Sequence, residues 1–554
     1  MLAAAAQALA FTLMLSASAV LAAPASAVVH PPASAVGVHL YREGQLANGE
    51  PLRGERAGAP PLSGRDAACM QCHGRSGLGT VEGKIVIPPI SGHFLFHPGE
   101  RFVAGEDEHQ AHLPPTPRDR GGYDDTTLAR AIRDGIGADG RPLDYLMPRY
   151  DLDDASMGEL IAYLKHLSSG RVPGVTNSTL HFATIVTPDA DPAARDGMIN
   201  VLEQYFAEKN SFYATGNSSP LPQGTHGVRF RLQRRWQLHV WQLEGTPATW
   251  EAQLDERLRR EPVFAVISGL GRRTWEPVHR FCERQAIPCL LPNVDLPMDA
   301  PGDFYPVYFS QGVLLEAQLV ATRLVHPNAG GAAPGRVVQV FRDDDVGAAG
   351  AARLRKAVAG GAVVVDRVLM HKEGSHELAR ALAEVKPGDT VVLWLRTADL
   401  AALPAPPPGL GSVYVSGLMG GLERAPLAPS WRAMARITYP YALPDERSLR
   451  LNYPLGWFHL RQIPVVDERV QVDTYVACSV LVDTLGSMLD EFVRDYLVER
   501  VEVMLDSRIV NGYYTRLELA RGQRFASKGG YLVRFVGASG KHMAADGGWI
   551  VPQL

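Results

Sequence analysis

The chain has 554 residues, 46% of them hydrophobic, which is too long for one ordinary domain and enough material for two or three cores. Its formal charge of -4 is close to balance at this length, so neither nucleic acid nor an anionic membrane surface is an expected partner. The cysteines are Cys69, Cys72, Cys282, Cys289 and Cys478 and no others.

An apolar run to Ala23 is followed by Ala25-Ser26-Ala27, a small-x-small cleavage signature, so residues 1–27 read as a secretory signal peptide. No Lys or Arg precedes the run, and its length is near that of a membrane span, which makes a retained anchor the second reading. Membrane contact is expected only through this segment, and only if it is left uncleaved. No cysteine precedes Cys69, so the mature end offers no thiol for a bacterial lipid anchor.

Residues 28–68 are rich in Ala, Gly and Pro, and Gly37–Gly44 is predicted as a first short helix. Then comes Cys69-Met70-Gln71-Cys72-His73. Two thiols three residues apart share a face of one helical turn, and the adjacent imidazole completes the attachment pattern of c-type haem. A structural zinc site is the alternative for Cys-x-x-Cys, but no second ligand pair follows at clean spacing; His93, His97, His109 and His112 would serve only if folding gathered them. Residues 80–122, with many Pro, Gly and His, are predicted as an irregular surface insertion.

Helical pattern resumes over Asp125–Gly135, with Leu128 and Ile132 on one face and Gly135 as C-cap. In Met147-Pro148 the proline biases Met147 towards an extended backbone, which leaves its thioether available as a second axial ligand. Met157 and the four histidines are the other candidates, with Met157 expected to pack on an apolar helix face. Asp153–Leu167 places Leu160, Ile161, Leu164 and Leu167 on one stripe, suited to pack across the haem-bearing helix.

In this order of helix, haem motif, helix, methionine loop and helix, the region resembles a class I-type cytochrome c. The resemblance implies an all-α cytochrome c domain over residues 28–167 with one covalent haem c. Cys69 and Cys72 would be its attachment points, and His73 and Met147 the axial ligands of the iron. Such attachment takes place outside the bacterial cytoplasm, so the resemblance and the leader both imply a periplasmic protein.

Residues 168–177 are a linker by composition, and after them strands alternate with helices. Strands are predicted at 181–186, 236–242, 263–267 and 287–291, then, after a long helix at 313–325, at 337–341, 362–368, 391–395 and 412–416. Two mainly parallel sheets covered by helices are expected, with a cleft between the lobes. Residues 178–554 resemble a type 1 periplasmic binding protein, of the branched-chain amino acid and amide receptor family. The stretches that carry the resemblance are Thr187-Pro188, Val266–Leu270, Ile287–Asn293 and Val338–Gly347. The whole chain is thus a multidomain protein, an all-α cytochrome c domain followed by a bilobal α/β module.

Carried over position by position, Ser268, Gly269, Asn293, Asp295, Asp344 and Asp345 are the candidate cleft residues at strand carboxyl ends. The alternative for Asp343–Asp345 is that they cap the next helix. The strand ending at Leu395 runs into Arg396-Thr397-Ala398-Asp399, with no acidic residue immediately at its end, and Arg396 there would favour an acidic ligand if it faces the cleft. The stiff Pro404–Gly409 run is the candidate for a loop that fills the opening.

Cys282 and Cys289 straddle a helix end and the next strand, where a disulfide is expected in an oxidising compartment and two buried small apolar residues are the alternative. Cys478 is expected in a buried helix. Gln523–Phe535 is predicted as a hairpin turning at Gly529-Gly530.

Two function classes follow. In the first, His73 and Met147 leave no open iron position, and the chain is a monohaem electron-transfer protein serving a periplasmic redox partner, the lobes binding a ligand or docking that partner. In the second it is a solute receptor for ABC-type import or sensing, binding a small polar solute while the haem reports redox state. An enzyme is not expected.

Overall fold

The computed structural model describes residues 35–552 except 83–84, 99–120, 215–233, 299, 328–333, 371–373, 489, 508–510 and 537–541. The expected signal peptide, residues 1–27, and His109 and His112 lie outside the described residues.

The N-terminal unit runs α1 (Ala35–Glu43), β1 (Arg53–Glu55), β2 (Leu62–Ser63), α2 (Met70–His73), β3 (Thr80–Glu82), β4 (Ile85–Ile87), α3 (Gly92–Phe96), α4 (Asp125–Asp134), β5 (Arg149–Tyr150) and α5 (Asp154–His166). Helix α4 begins on a capping box between Asp124 and Thr127 and ends at Gly135, whose φ of 69° is the left-handed turn that glycine adopts without penalty. Asp153 caps α5 by accepting from the Ser156 amide. Leu40, Tyr41, Leu128, Ile132, Leu160 and Leu164 meet in one core.

This unit departs from an all-α domain. β1 pairs antiparallel with both β2 and β5, and β3 with β4 inside the stretch predicted to be irregular. Gly54 is what lets β1 lie on β5, since a Cβ there would stand 3.0 Å from both Pro148 and the Tyr150 ring. Helix α5 packs on α1, not across α2, because α2 is a single turn and offers no face. The α1/α5 crossing closes on Gly37, where a Cβ would lie 2.6 Å from the Glu159 carbonyl oxygen and 2.7 Å from Tyr163 Cβ.

The linker-like segment 168–177 is held along its length. Ser168 Oγ donates to the Ser76 carbonyl at 2.6 Å, Val172 and Val175 pack on the large core of the following module, and Val175 bridges Leu180. Leu78, just past the Cys-x-x-Cys-His segment, is buried in that same large core.

The first lobe is built from β6 (Thr179–Val186), α6 (Pro192–Ala214), β7 (Arg235–Gln242), α7 (Trp250–Arg260), β8 (Ala265–Ile267), β9 (Leu270–Gly271), α8 (Glu276–Arg284), β10 (Cys289–Leu290), β11 (Asn293–Val294) and β12 (Pro306–Val307). α9 (Val313–Val325) leads into the second: β13 (Arg336–Arg342), α10 (Gly347–Ala357), β14 (Val363–Leu369), α11 (Gly374–Ala383), β15 (Thr390–Trp394), α12 (Thr397–Ala401), β16 (Val413–Val415), α13 (Gly417–Gly420), α14 (Pro429–Arg432) and β17 (Ala435–Tyr439). α15 (Pro444–Leu460), α16 (Glu468–Met488) and α17 (Arg494–Ser507) return to the first lobe, where α16 lies on α6. β18 (Tyr531–Val536) and β19 (His542–Ala545) complete the second sheet.

The bilobal α/β arrangement expected from the sequence is present. The first sheet is parallel throughout; the second runs β14-β13-β15-β16-β17-β18-β19, parallel as far as β17 and antiparallel beyond. Strands such as β15, buried at every residue, read as unbroken apolar runs because helices cover both faces. The winding reverses between β6 and β8 in one sheet and between β13 and β15 in the other, and loops leaving those strands open a crevice.

Two local expectations are corrected. The hairpin pairs β18 with β19, and Gly529-Gly530 is not its turn: a Cβ on Gly530 would lie 2.7 Å from Leu319 Cδ1 and 3.0 Å from the Tyr439 carbonyl, so close packing requires glycine there. The Pro404–Gly409 run does not fill the cleft. It lies at the amino ends of β15 and β16, where Gly409 O accepts from Gly388 N at 2.7 Å and Pro404 O from Trp431 Nε1 at 2.6 Å.

Candidate functional site

Two places gather the sequence-predicted residues. In the first, Cys69 stands at the N-cap of α2 with helical dihedrals, half-buried, and Cys72 is exposed one turn on. Both are reduced thiols. His73 is buried, with Nδ1 2.9 Å from the Pro88 carbonyl oxygen. That acceptor fixes the proton on Nδ1 and leaves Nε2 as the lone-pair nitrogen. Burial lowers the His73 pKa to about 4, so the ring is neutral.

Met147 is half-buried against the core on which Cys69 and Met70 also rest. Met157 is buried within α5 in that core. His93 and His97 lie exposed on and just after α3, their rings 5.6 Å apart. Among the described residues no three His, Cys, Asp or Glu side chains are grouped to hold a metal ion.

The segment after the motif is gripped by the two-lobed module. Glu499 of α17 accepts from the amides of Arg75 and Ser76 and, at 2.6 Å, from Ser76 Oγ. Burial pushes its pKa up to about 7, against the pull of those donors. The Arg75 guanidinium lies 4.6 Å from the Phe304 ring centre and 3.3 Å from an Asp495 carboxylate oxygen. Arg521 donates from its two terminal nitrogens to the carbonyls of Gln71 and Met70. Sequence reasoning missed Glu499, Asp495 and Arg521, whose partners lie more than four hundred positions away and leave no local pattern.

The second place is the crevice between the lobes. Ser268 (φ 55°) and Gly269 (φ 129°) follow β8 in left-handed geometry. Ser268 Oγ lies 3.2 Å from Thr474 Oγ1, and Asn293 Nδ2 donates to both hydroxyls, at 3.3 and 3.4 Å. All three residues are buried.

Asp295, Asp345 and Arg396 form one ion-paired group. Arg396 Nη1 reaches Asp295 at 2.5 Å, Nε and Nη2 reach Asp345 at 2.8 Å, and Nη2 also donates to the Arg272 carbonyl at 3.0 Å. Asp344 pairs with Arg273 at 3.2 Å. Asp344 through Arg273, and Arg396 through Asp295, therefore join the two lobes, while Asp345 holds Arg396 within the second lobe and also accepts from the Val346 amide, at 2.7 Å, where α10 begins. Arg396 has two carboxylates already, so its charge is compensated within the protein and does not select an acidic ligand.

A cleft of about 410 Å³ remains, lined by Leu270, Arg272 and Asn293 on one side, Thr397 and Leu418 on the other, and the start of α16 with Tyr513. Tyr513 donates to Glu468 at 2.6 Å, and Arg469 lies 3.5 Å from Asp473, whose pKa burial raises to about 7. Thr474, Glu468 and Arg469 were missed. Their signal is a polar stripe, Arg469, Asp473 and Thr474, along one face of an otherwise apolar helix.

Cys282 and Cys289 are joined as a disulfide with Cα atoms 6.3 Å apart, both buried in the first lobe. Cys478 is buried in α16.

No protein-family model matches this chain and no curated protein matches it. Among solved structures it is similar to a fatty acid ABC transporter substrate-binding protein from Thermomonospora curvata, at 15% identity over 69% of this chain and 95% of that one, with a TM-score of 0.47. It is also similar to a branched chain amino acid ABC transporter from Thermus thermophilus with bound valine, at 12% identity over 68% of this chain and 97% of that one, TM-score 0.47. A leucine binding protein from Thermotoga maritima is similar at 12% identity over 67% of this chain and 99% of that one, TM-score 0.46.

Proposed function

We propose that the chain is an exported solute receptor whose two lobes bind a small polar ligand and whose N-terminal unit carries one covalent haem. The observation that carries the receptor reading is the direction of the hydrogen bonds in the cleft wall. Thr474 Oγ1 gives its proton to the Val470 carbonyl at 2.7 Å, so it accepts from Ser268 and Asn293. Every donor of that group is then committed inward, and Asn293 Oδ1, buried beside the cleft, has no hydrogen-bond partner among the described residues. A buried acceptor without a donor costs about 1–3 kcal/mol, which a ligand with an amine, amide or hydroxyl donor recovers on binding.

The full-length protein is screened by thermal shift with amino acids, amides, short organic acids and alcohols. A ligand at a hundred times its dissociation constant adds about 2.7 kcal/mol to stability. Asn293→Ala and Ser268→Ala weaken a true cleft ligand without unfolding the lobe. A hit indifferent to both, or no hit across the panel, refutes this reading.

The residues of the first site suit a haem: two reduced thiols on one turn, and a neutral buried imidazole held through Nδ1 by a backbone carbonyl. Cys69 and Cys72 would attach it, and His73 and Met147 would hold the iron. Bound there, the group supplies one-electron transfer. Cys72 is exposed, which leaves the attachment turn open to a periplasmic redox partner and favours electron exchange as a second role. Among the described residues no helix is long and apolar enough to cross a membrane.

A further inference from the structure

We propose that Arg521, carried by the two-lobed module, is a positioning residue of the haem site and raises the potential at which that site accepts an electron. The inference rests on the covalent-haem reading above. The attachment helix α2 stops directly after His73, where Gly74 (φ 79°) turns the chain, and the groups of its next hydrogen bond are taken up from both sides. The Arg75 amide, which would bond the Gln71 carbonyl to continue the helix, donates instead to Glu499. The Gln71 carbonyl accepts instead from Arg521, whose other terminal nitrogen takes the Met70 carbonyl.

Two residues from the far end of the chain thus hold the carboxyl end of the turn that carries His73. Arg521 is itself held in place: the next amide, Gly522, donates to Glu502 at 3.2 Å, and Arg524 pairs with the same carboxylate.

The grip has an electrostatic consequence. The guanidinium is held on the Met70 and Gln71 carbonyls, the second of them two positions before the imidazole expected to bind the iron. A fixed positive charge disfavours the ferric form, which carries one more unit of positive charge than the ferrous, and so raises the midpoint potential. Arg521 is exposed on its outer side, so the effect is open to screening by salt.

The test compares full-length haem-loaded wild type, Arg521→Ala and Arg521→Lys by potentiometric titration at low and high salt. At a fixed potential near the midpoint, Arg521→Ala shows a ferric-to-ferrous ratio raised roughly twofold or more. Arg521→Lys recovers part of that change, since it keeps the charge and loses the two-carbonyl grip. The difference between wild type and Ala shrinks at high salt. Should Arg521→Ala reach the periplasm without haem, Arg521→Gln, which keeps a donor and not the charge, carries the same comparison. Equal midpoints for wild type and the uncharged variant at low salt overturn the inference while leaving the haem reading intact. Absence of haem from the denatured wild-type chain overturns both.

Discussion

Replacing Glu499 by Ala asks whether the N-terminal unit and the lobes form one cooperative body. The carboxylate receives two amides and one hydroxyl from Arg75 and Ser76, and it is so close to the chain that a Cβ on Gly74 would stand 2.8 Å from Glu499 Oε1. Truncation leaves three donors without an acceptor. At about 1–1.5 kcal/mol for each, the expected loss is about 3–5 kcal/mol. Glu499→Gln keeps an oxygen for the two amides, and its NH₂ can donate to Ser76 Oγ, so it costs about 1 kcal/mol.

Two probes separate the halves, because all eight tryptophans lie beyond residue 177 and report on the lobes, whereas absorbance of the proposed haem would report on the N-terminal unit. In urea the wild-type transitions coincide; in Glu499→Ala the haem transition moves to lower denaturant and the two separate. A loss below about 1 kcal/mol for Ala, or a Gln variant as damaged as Ala, would refute the reasoning.

Burial raises the Glu316 pKa from the ordinary carboxylate range to about 7, even though Ser416 Oγ, Thr438 Oγ1 and the Leu418 amide all donate to it. The folded chain therefore binds more protons than the unfolded one between about pH 4.5 and 7, and this group's contribution is lost as pH rises through that window, by up to about 3 kcal/mol. Glu316→Gln removes that dependence, so the stability difference between variant and wild type should change across urea titrations from pH 4.5 to 8; a constant difference would contradict the assignment. Gly37→Leu forces α1 away from α5 and should cost about 2 kcal/mol, seen as a fall in the midpoint of the haem probe, with Gly37→Ala intermediate. An unchanged midpoint for the leucine variant would mean that the helices do not cross there.

Legibility in the sequence followed the range of the interactions. β13 and β15 stood out because helices cover both faces of the sheet and leave unbroken valine-rich runs, and α4 because its cap, its apolar face and its glycine stop all lie within twelve residues. Gly529-Gly530 misled because a glycine pair signals a turn, whereas here Leu319, distant in sequence, leaves no room for a Cβ. In the cleft, Ser268 and Asn293 were found as strand-end residues, but Thr474, which completes their hydrogen-bond group, comes from a helix some two hundred residues on. Arg396 was read as an available cation because nothing local shows that Asp295 and Asp345 converge on it.

The closure of α2 by Glu499 and Arg521 also sets an order in time. These contacts join residues 424 and 450 positions apart, so they are among the last that a chain emerging from its amino end can make. Until then Cys69, Cys72 and His73 lie on an unfinished helix, open to whatever loads the cofactor. On the proposed haem reading, folding of the last sixty residues would then close over a segment already modified. On that reading maturation is written into the order of the sequence: the proposed attachment site comes first, and the residues that finish it arrive last.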